Sequence, residues 1–124
     1  MWRYFNPNPV GRITGDCTVR ALCAALDVSW DEAHDMVCRM AKDMCDMPSK
    51  NAVWGAVLRK HGFVRTIIPN TCPDCYTVGQ FAEDFQRGTY VLSTGDHVVT
   101  VRNGDILDTW DSSNEIPAYM WTRR

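Results

Sequence analysis

The chain has 124 residues, 45% of them hydrophobic and 23% charged, a composition that implies one folded domain over residues 1–124 and excludes wholesale disorder. Thirteen Lys and Arg against 15 Asp and Glu, for a formal net charge of -2, leave no basic stripe, which argues against nucleic acid as the main partner. No stretch approaches the roughly 18 uninterrupted apolar residues of a membrane span. The run MWRYFNPNPVGR is too weakly apolar for a secretory signal. The reading is therefore a cytoplasmic chain in which Cys17, Cys23, Cys38, Cys45, Cys72 and Cys75 are reduced thiols rather than a disulfide framework.

Two Asn-Pro pairs and Gly11 make the first dozen residues an extended lead-in, because a residue before proline avoids helical angles. Val19, Leu22, Cys23 and Leu26 then recur at helical spacing behind the capping types Thr14 and Asp16, which predicts a helix over roughly residues 16–27. Cys17 falls in its first turn. Ser29 and Glu32 form a capping box ahead of WDEAHDMVCRMAKDM, whose Ala33, Val37 and Met40 share one face. A third helix starts at Pro48-Ser49 and ends at Gly62. FVRTII reads as a short strand and PNTCPDC as a loop, and Thr77 caps a fourth helix that runs through Phe81 and Phe85 to Gly88. The strands TYVLS, HVVTV, ILDTW and AYMWT complete the chain. Helices first and an antiparallel sheet last is an α+β layout.

Between HVVTV and ILDTW stands Arg-Asn-Gly-Asp, and Asn-Gly is the strongest short signal for a two-residue type I′ hairpin. With Asn103 and Gly104 as the turn, Arg102 faces Asp105, Val101 faces Ile106, Val99 faces Asp108 and His97 faces Trp110. Opposed residues share a face, so His97 and Asp108 become diagonal neighbours, roughly 7 Å apart at the backbone and within side-chain reach. Asp96 and Asp111 fall on the other face, which makes Asp108 the partner of His97.

A histidine oriented by a carboxylate is part of a nucleophile-activating unit that still needs a serine or a cysteine. Cys17 meets the requirement, because the N–H groups and dipole at a helix N-terminus favour thiolate, and a neighbouring imidazolium favours it further. The same N–H groups can receive an oxyanion. Cys23 and Cys38 lie on apolar helix faces and read as inert small hydrophobes, His34 as an exposed helix residue, and His61 as a partner of a helix C-terminus.

GDCTVRAL opening a helix, a histidine starting a strand, and Asp108-Thr109-Trp110 on the next strand together resemble the papain-like cysteine peptidases. The Asp-Cys pair is similar to that of the bacteriocin-processing peptidase domains of bacterial exporters, and Asp-Thr-Trp resembles the Asn-Ser-Trp of papain, where the tryptophan shields the histidine. Asn-Pro, GDC-x-x-RAL, MPS-x-NAVWG and CPDC are similar to stretches of small phage and gut-bacterial proteins. The resemblance implies a papain-like fold and a thiol hydrolase that needs no cofactor, with Cys17 as nucleophile, His97 as general base and acid, and Asp108 as orienter. Its substrate would be a protein or peptide, cut at a peptide, isopeptide or side-chain amide bond. That family places a glutamine about six residues before the cysteine to complete the oxyanion hole, and here the position is Gly11. Asn8, or Asn6, is the candidate replacement, although Asn-Pro turn chemistry explains both equally well. Without any side-chain donor, catalysis would lose roughly 10²-fold or more. The chain is far shorter than papain, so a second copy forming a homodimer is a candidate to supply a groove wall.

CPDC at Cys72 and Cys75 has the spacing of a zinc knuckle, with Cys38, Cys45 and His61 as candidates for further ligands; an ordinary loop without metal is the default. The competing functional reading is a non-catalytic binding module that keeps the papain-like fold and uses its groove, or a zinc-stabilised loop, to hold a partner.

Overall fold

A computed structural model describes residues 1–123 and contains ten elements in chain order. They are β1 (Trp2–Tyr4), α1 (Cys17–Leu26), α2 (Trp30–Met44), α3 (Asn51–Lys60), β2 (Val64–Ile67), α4 (Val78–Asp84), β3 (Thr89–Ser93), β4 (Val98–Arg102), β5 (Asp105–Asp108) and β6 (Tyr119–Thr122). The strands form one sheet in the order β1-β5-β4-β3-β6-β2. The fold is α+β, but the sheet is mixed rather than purely antiparallel: β1 runs parallel to β5, pairing Trp2 with Ile106 and Tyr4 with Asp108. The lead-in thus begins with a strand. All three of its residues are exposed, so no alternation of apolar side chains announces it. Backbone hydrogen bonding to the free edge of β5 forms it instead.

The β4–β5 hairpin has the register set by its turn, from Arg102↔Asp105 through Val101↔Ile106 to Thr100↔Leu107. Asn103 (φ 51°) and Gly104 (φ 82°) both take the positive φ that a type I′ turn requires. Local chemistry also starts two helices as expected. The Ser29 hydroxyl accepts from the Glu32 N–H, and Thr77 and Gln80 complete a reciprocal capping box. Elsewhere the boundaries move. α3 begins at Asn51, after a turn closed by the Lys50 N–H bonding the Met47 carbonyl, and α4 stops at Asp84, short of Gly88.

Consecutive strand residues point to opposite sides of the sheet, and two cores result. Val91, Val98 and Trp121 pack with Leu22, Val37, Trp54 and Leu58 of α1–α3. Leu92, Val99, Val101 and Ile106 pack with Val78, Phe81 and Ala82 of α4. Helix α1 is buried over most of its circumference, and its small Ala21, Ala24 and Ala25 let it lie close on β4. The Thr100 hydroxyl bonds the Ala21 carbonyl at 2.8 Å. That contact ties the middle of α1 to the strand that His97 precedes. Among the described residues no helix is long and apolar enough to cross a membrane.

Candidate active site

Cys17 is the first residue of α1, and its half-buried thiol lines a cleft with His97, Gly95, Thr18, Ser49 and Asn51. His97 stands one residue before β4 and Asp108 is the last residue of β5, so the hairpin delivers both to the end of the sheet nearest that helix terminus. The Nε2–H of His97 donates to Asp108 Oδ2 at 2.6 Å, which leaves Nδ1 for the sulfur. The Trp110 ring lies 4.9 Å from the His97 ring, tilted by 47°, and covers one side of it.

Asp108 is fully buried and has four donors around its carboxylate. Besides His97 these are the Ser112 hydroxyl at 2.7 Å, the Thr109 backbone N–H at 2.8 Å and the Arg20 guanidinium at 3.0 Å. Arg20, itself 4% exposed, reaches back along α1 to Asp16 at 2.7 Å, and Asp16 also accepts from the Trp30 indole at 2.9 Å. The Asp16 carboxylate therefore does not cap α1, although the residue occupies the N-cap position. It anchors a buried chain of charges, Asp16–Arg20–Asp108–His97, that runs from one helix to the hairpin. A buried charge is tolerated only when paired and hydrogen-bonded, and each member of this chain is.

Burial works against ionising the Cys17 thiol, but the His97 hydrogen bond, the Val98 backbone N–H and the positive charges of His97 and Arg20 outweigh it and lower the pKa. Burial likewise opposes the imidazolium, yet hydrogen bonds to Asp108 and Cys17 and the negative charges of both raise His97 to about 9. For Asp108, burial is overcome by the His97 and Ser112 hydrogen bonds and by the charges of His97 and Arg20, so the carboxyl stays ionised. The arrangement favours a thiolate–imidazolium pair. Cys23, two turns further along α1 and buried, is driven the other way, to about 11, by burial and by the charge of Asp16.

The structure brings Cys17, His97 and Asp108 together, but not Asn8. Asn8 Oδ1 accepts from the N–H groups of Val10 and Arg12, and Asn6 Oδ1 accepts from the N–H of Asn8, so both asparagines build the lead-in turn. The side-chain amide that borders the cleft is that of Asn51. Its Oδ1 accepts from the Trp54 indole at 3.1 Å, which turns Nδ2 away from that bond and leaves it free as a donor. Arg20 and Ser112 join the site without having been expected there. The i,i+4 spacing of Asp16 and Arg20 was the available signal for the first, and a serine four residues beyond Asp108 carries none.

The expectation of six reduced cysteines is corrected, because Cys72 and Cys75 form a disulfide. The side chains of Asn70 and Thr71 bond the backbone around the CPDC turn and bring the two Cα atoms within 4.3 Å. The zinc reading of Cys72 and Cys75 falls with it: their sulfurs are bonded to each other, and no group of three or more potential ligands clusters among the described residues. Cys38 is half exposed rather than buried in an apolar face, with its sulfur 3.7 Å from His34 Nδ1.

No family model, curated protein or solved structure matches the chain.

Proposed function

We propose that the chain is a thiol hydrolase of papain-like architecture, cleaving an amide bond of a peptide or protein through Cys17, His97 and Asp108. The observation that carries this reading is a thiol at the first residue of a helix, facing an imidazole whose other nitrogen is 2.6 Å from a fully buried carboxylate. Helix terminus, imidazolium and carboxylate all act in one direction, toward a nucleophilic thiolate at neutral pH.

In the first half-reaction the Cys17 thiolate attacks the acyl carbon and the carbonyl π-electrons move to oxygen. The backbone N–H of Cys17 and Nδ2 of Asn51 are the donors available to that oxyanion. As the C–N bond breaks, His97 Nδ1–H protonates the leaving amine and a thioester remains. Water then gives a proton to the now neutral imidazole while its oxygen attacks the thioester. Collapse expels the thiolate beside the restored imidazolium and releases a carboxylic acid. Asp108 holds the ring so that Nδ1 faces the reaction, and Arg20 and Ser112 hold Asp108.

Alkylation by iodoacetamide at pH 6, mapped by mass spectrometry, tests the reading. Cys17 should react far faster than Cys23, Cys38 or Cys45, and His97→Ala should remove that advantage. Equal rates at all four thiols would favour a binding module that keeps the site's geometry without its chemistry.

A further inference from the structure

Beside the Cys17 cleft lies a second one of about 360 Å³, between α3 and the β2–β6 pair, and Asn51 is a wall of both. Gly55 and Arg59 are four residues apart on α3 and so share a helix face. Arg65 pairs directly with Trp121 across β2 and β6, and Tyr119 stands two residues from Trp121, so these three share a face of the sheet. At Gly55 the faces meet closely: a Cβ there would come within 2.9 Å of the Trp121 ring.

Two guanidinium groups are held in this cleft by aromatic rings, Arg59 at 5.3 Å from the Trp121 centroid and Arg65 at 5.2 Å from that of Tyr119. A guanidinium over a ring face keeps its N–H groups available to an anion. Neither arginine has a carboxylate within ion-pairing distance among the described residues, in contrast to Arg3 and Arg20. Among the described residues no acidic one lines the cleft. The Trp121 indole N–H, buried at the same wall, also lacks an acceptor among the described residues. Two cations line one cleft, and among the described residues none supplies a counter-charge, a setting that suits an anion; the N–H edge of a guanidinium matches a carboxylate well.

We propose that this cleft is a substrate subsite that takes a carboxylate carried by the peptide close to the bond presented to Cys17, an acidic side chain in the first instance. The inference rests on the thiol hydrolase reading and adds a substrate class to it, peptides with Glu or Asp near the scissile bond. Asn51 joins the two clefts, so one extended peptide along the start of α3 would occupy both.

Calorimetric binding to Cys17→Ala protein tests the subsite without requiring turnover. The probes are the amidated peptide acetyl-Ala-Ala-Glu-Ala-Ala, its Gln analogue, and acetylated pentaalanine with either a free or an amidated C-terminus. The Glu peptide should bind about tenfold or more tightly than the Gln peptide, as expected for a charge-assisted bond replaced by a neutral one. Arg59→Gln and Arg65→Gln, both at exposed positions with thermal unfolding as a control on folding, should bring that ratio toward one. A preference for the free-acid pentaalanine alone would assign the subsite to a chain terminus instead of a side chain. Equal or undetectable binding of all four peptides overturns the proposal. Iodoacetamide labelling of the unmodified protein reads Cys17 separately, so a missing subsite and a missing nucleophile give different results.

Discussion

The sulfur of Cys17 and the ring of His97 titrate as one unit, which gives the protein an unusual dependence on pH. Between 6.5 and 9.0, the ordinary values of the two groups, the unfolded chain holds one proton on the pair, on the thiol. Where the thiolate–imidazolium form prevails, the folded chain also holds one, on the imidazole. The depressed thiol makes stability rise with pH over this window and the raised histidine makes it fall, so the two contributions oppose each other. Unfolding free energy should therefore be nearly flat in this range. Cys17→Ala removes the rising contribution and leaves the part of the histidine's that Asp108 supplies, which is fully present below 6.5 and lost as pH climbs through the His97 value of the variant. Denaturant unfolding at pH 6 and pH 9 should show a loss in the variant and almost none in the parent; equal slopes would mean the pair does not form. Asn51→Ala separates the oxyanion from the nucleophile. It should lower peptide hydrolysis by about 10²-fold while leaving iodoacetamide alkylation of Cys17 intact, since alkylation develops no oxyanion. A parallel fall in both rates would show that Asn51 acts through folding alone.

At the scale of elements, α1 and the β4–β5 hairpin are joined by the buried charge chain as well as by apolar contact. Arg20 is the joint, because its guanidinium reaches both Asp16 and Asp108. Arg20→Met should cost about 3–5 kcal/mol in urea unfolding, the range for stranding a buried partner charge, and should slow Cys17 alkylation because Asp108 loses a support. A variant as stable as the parent would show that the two carboxylates find other partners. The hairpin was legible because its register follows from two turn residues with positive φ, a local property of Asn103 and Gly104. The charge chain was not, because Arg20 sits in a segment whose apolar spacing already accounts for a helix. Which of its neighbours is buried with it depends on how α1 lies on the sheet.

For the molecule as a whole, the sheet is bounded by β1, from the start of the chain, and β2, from its middle, and each edge lies by the site or its neighbour. β1 covers the edge of β5, where the Phe5 N–H and the Trp2 indole both donate to the Asp108 carbonyl, at 2.9 and 3.1 Å. Removing residues 1–4 should loosen the backbone of Asp108, lower the melting temperature and reduce Cys17 reactivity at pH 6. Unchanged reactivity would show that Arg20 and Ser112 suffice to hold the carboxylate. At the other side of the sheet, Gly55→Ala pushes α3 off Trp121. The expected cost is about 1–3 kcal/mol, the range for overpacking a closely filled contact, measured by chemical denaturation.

The sequence by itself determined the α+β class, the four helices, the hairpin register and the pairing of His97 with Asp108. Each of these follows from the period of apolar residues or from the backbone preferences of a few neighbours. Tertiary structure alone decided that the lead-in strand completes a mixed sheet, that Asn51 rather than Asn8 borders the Cys17 cleft, and that Arg20 is held between two buried carboxylates. It also decided that Cys72 and Cys75 bond each other. These features depend on contacts between segments distant in the chain, or on side-chain directions within a turn, and neither leaves a periodic trace in the order of residues.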